Sequence, residues 1–394
     1  MPAQAFADGT KTSMKASTDR ILTTHVGSLP RPPAVVECLV RKERGDAHDG
    51  AEFARTMRQG VADIVRRQEE AGIDVVSDGE TSKISYSTYI KDRYAGFSGE
   101  YTPKTHLDLR DHPEFRERMK AFLGPRHEKR MRCTTPIALA DRTMLEQDLA
   151  NFRAALDATP RTEGFLNAAS PGVVAAFMPN AHYASHEKYI EALADALKIE
   201  YEAIAAAGFV LQVDCPDLAM ARHTAFQDLS EEAFIARAQF HVEALNHALA
   251  RVPVDQVRIH VCWGNYEGPH DHDIELGRIL PTLLKVRARA ISFEASNPRH
   301  EHEWPVWRDA RVPADLLLIP GVLDSCSNFV EHPELVSQRI ERFAQVVGRE
   351  RVLAGTDCGF GTFAGYSKVD GGIAFKKLRA LCEGAALASK RLWS

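Results

Sequence analysis

A short repeated unit that joins an amphipathic helix to a buried strand constrains the fold of this chain more than any other feature. In segment 69–80, a helix end is followed by a glycine, an apolar strand and acidic residues, and segment 206–216 repeats that order. The first of these helices ends at Gly72, and a later helix begins near Ser230, a residue type that favours the N-cap. Helices that alternate with apolar strands predict parallel βαβ units.

Eight such strands are predicted along the chain. They lie in segments 20–28, 69–80, 164–170, 206–216, 257–264, 290–296, 316–324 and 352–358. Near-continuous apolar strands indicate a sheet that is covered on both faces. We therefore predict an α/β fold with a single (β/α)8 TIM-type barrel over residues 19–394, a length that such barrels reach as one unit.

Two segments depart from this pattern. Residues 1–18 are polar, lack periodicity and are predicted to form a flexible N-terminal tail. Residues 81–149 carry many charges and one isolated strand-like stretch at 133–139, and we interpret them as an excursion after the second strand.

Composition excludes several classes of partner. Lys and Arg total 49 against 54 Asp and Glu, a net charge of −5, and no basic stripe is present, so nucleic acid is not expected as a partner. No apolar run reaches the roughly 20 residues of a membrane helix, and no secretory signal is visible, so we expect a soluble, cytoplasmic protein. The seven cysteines are odd in number and thinly spread, which predicts reduced thiols that are either core residues or ligands.

The ends of the predicted strands carry the residues most suited to chemistry, because barrel active sites form at the carboxyl ends of strands. His260 and Cys262 are two residues apart on one strand, so their side chains point to the same side. A buried core pair is an equal alternative for these two alone. Glu294 and Cys358 at later strand ends can complete a tetrahedron, and two thiolates with an imidazole favour Zn²⁺.

Other histidines compete with this metal set. His270 and His272 lie in a Gly- and Pro-containing loop, which favours a solvated or gating role for them over metal binding.

The motifs resemble those of the cobalamin-independent methionine synthase family, in particular its C-terminal catalytic barrel, over about residues 20–370. The resemblance is carried by T-T-H-V-G-S-L-P-R-P at 23–32, D-G-E at 78–80, L-Q-V-D-C-P at 211–216, H-V-C at 260–262, F-E at 293–294, P-G-V at 320–322 and D-C-G at 357–359. It implies zinc held by His260, Cys262, Glu294 and Cys358, with a substrate thiol that joins the metal and attacks an alkyl donor.

The same resemblance implies roles in substrate binding. Glu80 and Asp214 would hold the amino group of homocysteine, while Gly27 and Ser28 would meet its carboxylate. Two converging carboxylates suit an ammonium group and would repel the sulfonate of coenzyme M. A structural ion pair with Arg or Lys is the alternative for these two acids.

Three departures from the long enzymes of the family bear on the alkyl donor. The chain has a single barrel, as in the short members, which include epoxyalkane:coenzyme M transferases. Phe177 stands about where the long enzymes have a folate-stacking Trp, and Cys326 stands where they have a catalytic His. His25, at the end of the first strand, is the predicted replacement for that His as proton donor, with Cys326 as the alternative.

The resulting expectation is a zinc-dependent thiol alkyltransferase that transfers a methyl group from a 5-methyltetrahydrofolate-type donor to homocysteine. The catalytic residues expected are His25, Asp214 and Cys326, and Phe177 is expected to bind the donor. One alternative is the opening of an epoxide by the thiolate of coenzyme M. A zinc hydrolase and a binding barrel without zinc are alternatives from other classes, and whether the chain forms a homo-oligomer is left open.

Overall fold

The computed structural model describes residues 13–47, 49–123, 126–159 and 163–394. Its strands are β1 (Leu22–Thr23), β2 (Val75–Ser77), β3 (Tyr94–Ser98), β4 (Arg132–Leu139), β5 (Glu163–Ala169), β6 (Val210–Asp214), β7 (Val257–Val261), β8 (Ala290–Phe293), β9 (Leu317–Leu323) and β10 (Leu353–Thr356). Its helices are α1 (Pro33–Arg44), α2 (Gly50–Ala71), α3 (Leu107–Arg110), α4 (Pro113–Leu123), α5 (Thr143–Asp157), α6 (Pro171–Phe177), α7 (His186–Ala206), α8 (Glu231–Ala248), α9 (Leu276–Leu283), α10 (Trp304–Asp309), α11 (Pro333–Val347) and α12 (Gly371–Leu392).

Eight of the strands form one parallel sheet that curls into a nearly closed barrel. The strand order is β1-β10-β9-β8-β7-β6-β5-β2, so neighbours follow the chain apart from the β3–β4 hairpin. At the remaining seam, the Asp74 amide donates to the Thr23 carbonyl at 3.2 Å and Thr24 Oγ1 donates to the Val75 carbonyl at 3.0 Å. Helices join successive strands, so the predicted (β/α)8 barrel is confirmed.

Helix ends follow the sequence signals closely. Gly72 ends α2 in a left-handed conformation with φ 93°, and Ser230 caps α8 by accepting a hydrogen bond from the Ala233 amide at 3.2 Å. Among the residues that the structure describes, no helix is long and apolar enough to cross a membrane.

The first strand is much shorter than the predicted segment 20–28. It pairs with β10 over two residues, and the next amide, that of Thr24, still donates to the Ala354 carbonyl at 2.9 Å. Beyond that point, side chains supply the hydrogen bonds that the chain makes to the barrel. The buried guanidinium of Arg258 donates to Thr24 Oγ1 at 3.0 Å and to the His25 carbonyl at 2.8 Å, and its Nε donates to Gln212 Oε1 at 2.7 Å. Arg258 thus joins β7 to β6 and to the chain that follows β1.

The excursion after β2 contains regular structure. The strand predicted at 133–139 is β4, and it is not isolated, because it pairs with β3 in an antiparallel hairpin. Arg93 anchors this region, since its guanidinium donates to Glu200 Oε1 at 2.6 Å and contacts Asp148. The excursion is therefore held against α5 and α7.

The predicted flexible tail needs a partial correction. Residues 1–12 lie outside the described part of the chain, whereas Met14 is buried among apolar residues that begin the barrel strands, such as Phe165 and Leu353. The Met14 amide donates to the Asp255 carbonyl at 2.9 Å, and Ser17 Oγ donates to the Val352 carbonyl at 2.6 Å. This segment packs because it covers apolar surface at the amino ends of the strands.

The Arg258 contacts yield a stability prediction. Replacing Arg258 by Met leaves Gln212, Thr24 and the His25 carbonyl without a donor, so we expect a loss of roughly 3 kcal/mol in the free energy of unfolding, measured by urea titration. The control is Arg66→Met on α2, where an exposed guanidinium pairs with Glu70, and this change should leave the urea midpoint nearly unchanged. Equal losses in the two variants would contradict the assigned role of Arg258.

Candidate active site

His260, Cys262 and Cys358 come together at the carboxyl ends of the strands. His260 lies on β7, Cys262 follows that strand, and Cys358 follows β10. One ligand atom from each residue lies within 4.8 Å of the other two, and all three residues are buried. Both ring nitrogens of His260 are buried without a hydrogen-bond partner, which is costly unless they bind something else.

The two thiols perturb each other. A hydrogen bond with Cys262 holds the pKa of the Cys358 thiol well below its usual range, against the effect of burial and with support from His260. The same hydrogen bond, together with burial, raises the pKa of Cys262. One thiolate therefore forms readily in this group, and a thiolate is the form that binds metal.

Glu294 lies beside this group without joining it. Its Oε1 accepts a hydrogen bond from the Trp263 amide at 3.1 Å, and its Oε2 accepts one from Asn297 Nδ2 at 2.8 Å. Burial raises the pKa of Glu294 to about 7. Of the four predicted ligands, the structure therefore brings three together, while the fourth, Glu294, bonds to the backbone next to Cys262 and to Asn297 in its own loop.

Glu80 and Asp214 form the second part of the site. Both oxygens of Asp214 accept hydrogen bonds from Asn167 Nδ2, at 3.3 and 3.0 Å, and Gln212 Nε2 donates to one of them at 2.8 Å. Glu80 Oε2 is buried and has no partner. Burial raises the pKa of Glu80 to about 8, with Lys83 opposing the shift and Asp214 adding to it.

Glu80 also has an unusual backbone. Its φ of 52° lies in the left-handed region, which costs energy for a residue with a side chain. Arg31 holds this turn by donating to the Glu80 carbonyl at 2.7 Å and to the Lys83 carbonyl at 2.8 Å. The strained backbone conformation therefore belongs to the residue that lines the cavity with an unpaired carboxylate oxygen.

The Gly27–Ser28 segment packs tightly against the same residues. Gly27 has φ 133°, and a Cβ there would lie 2.1 Å from Asn167 Oδ1. A Cβ on Gly359 would lie 1.9 Å from Ser28 Oγ. Only glycines allow Ser28 and Asn167 to approach their neighbours this closely.

One cavity joins these groups. Its inner wall includes six barrel residues, namely Ser28, Glu80, Asp214, His260, Cys262 and Cys358. The other wall carries aromatic rings and cations, among them Tyr86, Phe177, Phe363, Tyr366, Arg126 and Arg130. Phe177 packs edge-to-face on Tyr86 with centroids 5.4 Å apart, and the Arg130 guanidinium lies 4.8 Å from the Phe177 centroid.

His25 is placed differently from the expectation that its ring faces the barrel mouth. Nε2 lies 2.7 Å from Gln68 Oε1, and Nδ1 accepts a hydrogen bond from the Gly27 amide at 3.1 Å, because the chain turns at that glycine. Burial lowers the pKa of His25 to about 4. Its ring is thus neutral, fully engaged and absent from the described cavity wall.

Cys326 is also absent from that wall. Its thiol lies in an outer groove, 3.3 Å from Asn265 Oδ1 and 3.6 Å from Lys368 Nζ, and burial raises its pKa to about 12. The placement of His25 and Cys326 argues against direct proton transfer from either group to a molecule in the cavity.

Apart from Phe177, sequence reasoning missed the residues of the second, outer wall of the cavity. Lys104, His106, Arg126 and Arg130 all come from the excursion, where no periodicity indicates which side chains point inward. The only local sequence signal for any of these residues is the H-x-D spacing of His106 and Asp108.

His270 also differs from the solvated role expected for it, because it is mostly buried and its Nδ1 lies 2.9 Å from Asp273 Oδ2.

The sequence matches the family described as the catalytic domain of cobalamin-independent synthase over residues 21–99 and 131–374. The chain belongs to this family. The predicted family is therefore confirmed, and together with the His/Cys group it supports the prediction of a thiol alkyltransferase. The residues between the two matched stretches, 100–130, are the part of the excursion that carries His106 and the two cavity arginines.

Individual relatives cover nearly the whole chain. A methionine synthase of Thermococcus kodakarensis is 24% identical over 94% of both chains, and a 2-hydroxypropyl-CoM lyase of Xanthobacter autotrophicus is 25% identical over 94% of this chain and 96% of its own. A solved B12-independent methionine synthase from Shewanella sp. W3-18-1 superposes with a TM-score of 0.71 at 20% identity, covering 95% of this chain and 99% of that one. The last of these likenesses establishes the fold.

The close approach at Gly27 yields a second prediction. Gly27→Ala adds a Cβ where Asn167 already lies, and it also forces an L residue into a glycine conformation, so we expect it to destabilise the fold by more than the ~1 kcal/mol of backbone strain alone. Gly45→Ala is the matched control, because Gly45 has φ 83° but no atom within 4 Å of the added Cβ. Thermal unfolding measures both. A larger loss at Gly45 than at Gly27 would contradict the packing described.

Proposed function

We propose that this chain is a zinc-dependent methyltransferase that methylates the thiol of homocysteine, using an N-methyl folate as donor. One observation carries the proposal: the His260, Cys262 and Cys358 group and the Glu80 and Asp214 carboxylates line the same cavity. A thiol and an ammonium group on one small molecule would meet both groups at once. Homocysteine has this combination.

The three-residue group fits zinc. Two sulfur donors and one imidazole are the ligand types that zinc prefers, and three protein ligands leave a position for a substrate atom. His260 is ready to bind because neither ring nitrogen has another partner. Bound zinc would lower the pKa of the substrate thiol, so that the thiolate exists near neutral pH.

The carboxylates fit the amino group of homocysteine. Asp214 is held in place by Asn167 and Gln212, while Glu80 presents an oxygen with no partner. An ammonium group bound against these two acids would add positive charge directly beside them, which favours ionised Glu80. The hydroxyl of Ser28, on the same wall, is available to the carboxylate of the ligand.

The outer wall fits a flat donor with an anionic tail. Phe177 and Tyr86 offer aromatic surface for a ring system, and Arg126 and Arg130 offer charge-assisted hydrogen bonds to carboxylates. Within this enclosure the new sulfur–carbon bond would form as the nitrogen–carbon bond of the donor breaks, and the donor nitrogen takes up a proton. The burial of the inner residues keeps bulk water away from the thiolate.

The same cations favour a second candidate. Arg126, Arg130 and Lys104 could also meet the sulfonate of coenzyme M, and the similarity to a 2-hydroxypropyl-CoM lyase keeps epoxide opening by that thiol as the alternative. Glu80 and Asp214 lie beside the proposed metal ligands and would repel a sulfonate. Homocysteine is therefore preferred to coenzyme M as the thiol of the proposed reaction.

The metal assignment predicts a specific loss. Cys358→Ser should lower the zinc content of the purified protein from about one equivalent to a small fraction, because the hydroxyl replaces a thiolate ligand. Cys38→Ser is the control, since Cys38 lies on α1, away from the site. Elemental analysis measures zinc, and circular dichroism verifies the fold. Full zinc retention by Cys358→Ser would mean that the three residues are not a metal site.

The thiol assignment predicts a selective effect of Glu80→Gln. Loss of a charge-assisted contact should weaken homocysteine binding by roughly 1.5–3 kcal/mol, whereas 4-mercaptobutanoate, which lacks the amino group, should bind the variant and the unaltered protein equally. Calorimetry measures both ligands. Tighter binding of coenzyme M than of homocysteine to the unaltered protein would instead favour the epoxide reaction.

A further inference from the structure

His106, Asp108 and His223 form a second group of ligand-type side chains, here called the second cluster. One ligand atom from each lies within 4.8 Å of the other two. His106 and Asp108 come from the excursion at the start of α3, whereas His223 lies between β6 and α8. His106 also lines the active-site cavity.

Two buried polar atoms of the second cluster have no partner. Nδ1 of His106 and Oδ1 of Asp108 are both buried and make no hydrogen bond. Leaving such groups unpaired is costly, and a bound ion would remove that cost. The other oxygen of Asp108 is held by the Tyr266 hydroxyl at 2.5 Å and by the His270 amide at 3.2 Å.

The two ring nitrogens of His223 have different neighbours. Nδ1 lies 3.1 Å from Asp273 Oδ1, and Nε2 lies 3.3 Å from the Tyr266 hydroxyl. Asp273 is itself fixed by His270 Nδ1 at 2.9 Å and His300 Nε2 at 3.0 Å. A metal ion bound through Nε2 would replace the contact with Tyr266, while Asp273 would orient the ring from the other side.

The charges around the second cluster are mixed. Arg126 and Arg130 line the same cavity as His106, and their charge works against a cation. The carboxylates of Asp108, within the cluster, and of Asp273, beside His223, offset that charge.

We propose that the second cluster binds a divalent first-row transition metal ion, separate from the site at His260, Cys262 and Cys358. Two imidazole nitrogens and one carboxylate oxygen are a donor set that suits such ions, and they leave further positions open. The ion would link the excursion to the barrel, where the Leu107 amide already donates to the His223 carbonyl at 3.0 Å. This proposal does not depend on whether the proposed thiol reaction is correct.

Cobalt(II) titration of metal-free full-length protein tests the proposal, because the two sites differ in spectrum. Co²⁺ at the two-thiolate site gives sulfur-to-cobalt charge-transfer absorption in the near ultraviolet, whereas Co²⁺ held by nitrogen and oxygen does not. We expect the unaltered protein to take up two equivalents, of which one produces that band. His106→Ala and Asp108→Asn should each weaken the other equivalent by more than about 100-fold, since loss of an outer partner alone costs 10–100-fold.

Matched variants make the result decisive. His272→Ala changes an exposed histidine of the neighbouring loop and should still bind two equivalents. Cys262→Ser should lose the charge-transfer band and keep the second equivalent. The band also reports that His106→Ala and Asp108→Asn remain folded, and binding of the second equivalent should slow hydrogen exchange in residues 101–112 of the unaltered protein. Saturation of the unaltered protein at one equivalent, or two equivalents in His106→Ala, would overturn the proposal.

Discussion

The buried guanidinium of Arg258 is the interaction on which the active side of this barrel depends. The first strand contributes only two residues to the sheet, so the chain from Thr24 to Val26 depends on side chains of β5, β6 and β7 in addition to its contacts with β10. Asn167 and Gln212 both donate to the Val26 carbonyl and also to Asp214. One polar network therefore places β1, the acid on β6 and, through β1, the Gly27–Ser28 turn.

The network supplies hydrogen bonds to Asp214, which lies buried on the same cavity as a second acid, Glu80. Glu80 has its pKa raised to about 8 by burial, and the pKa of Asp214 is raised for the same reason. Burial disfavours the ionised forms of both acids, so a cation that binds beside them would stabilise their negative charge. This property, more than cavity size, selects ligands with an amino group in the proposed function.

Sequence reasoning reached the parts of the structure that local periodicity encodes. The helix–glycine–strand unit predicted the barrel, and the H-x-C spacing placed His260 beside Cys262, since alternate strand residues share a side. It could not place His25, whose ring direction depends on the turn at Gly27 and on Gln68, forty-three residues away. Nor could it identify the second cluster, because His106 and His223 are brought together only by tertiary packing of the excursion. The packing of Met14 was missed for a similar reason, since it depends on apolar residues from distant strands.

The two walls of the cavity differ in the secondary structure that supports them. The inner wall stands on barrel strands whose register pairs Asp214 with His260, so its geometry is fixed by backbone hydrogen bonds. The outer wall combines aromatic residues of the matched stretches, such as Tyr86 and Phe177, with Arg126 and Arg130 from residues 100–130, which lie between those stretches. In the proposed function, the thiol and the amino group would therefore meet residues held by barrel strands, whereas the alkyl donor would meet residues from both the barrel and the excursion. A metal ion at the second cluster would tie the excursion, which contributes His106 to the cavity, to the barrel segment that carries His223, and the position of the outer wall would then depend on residues outside the cavity.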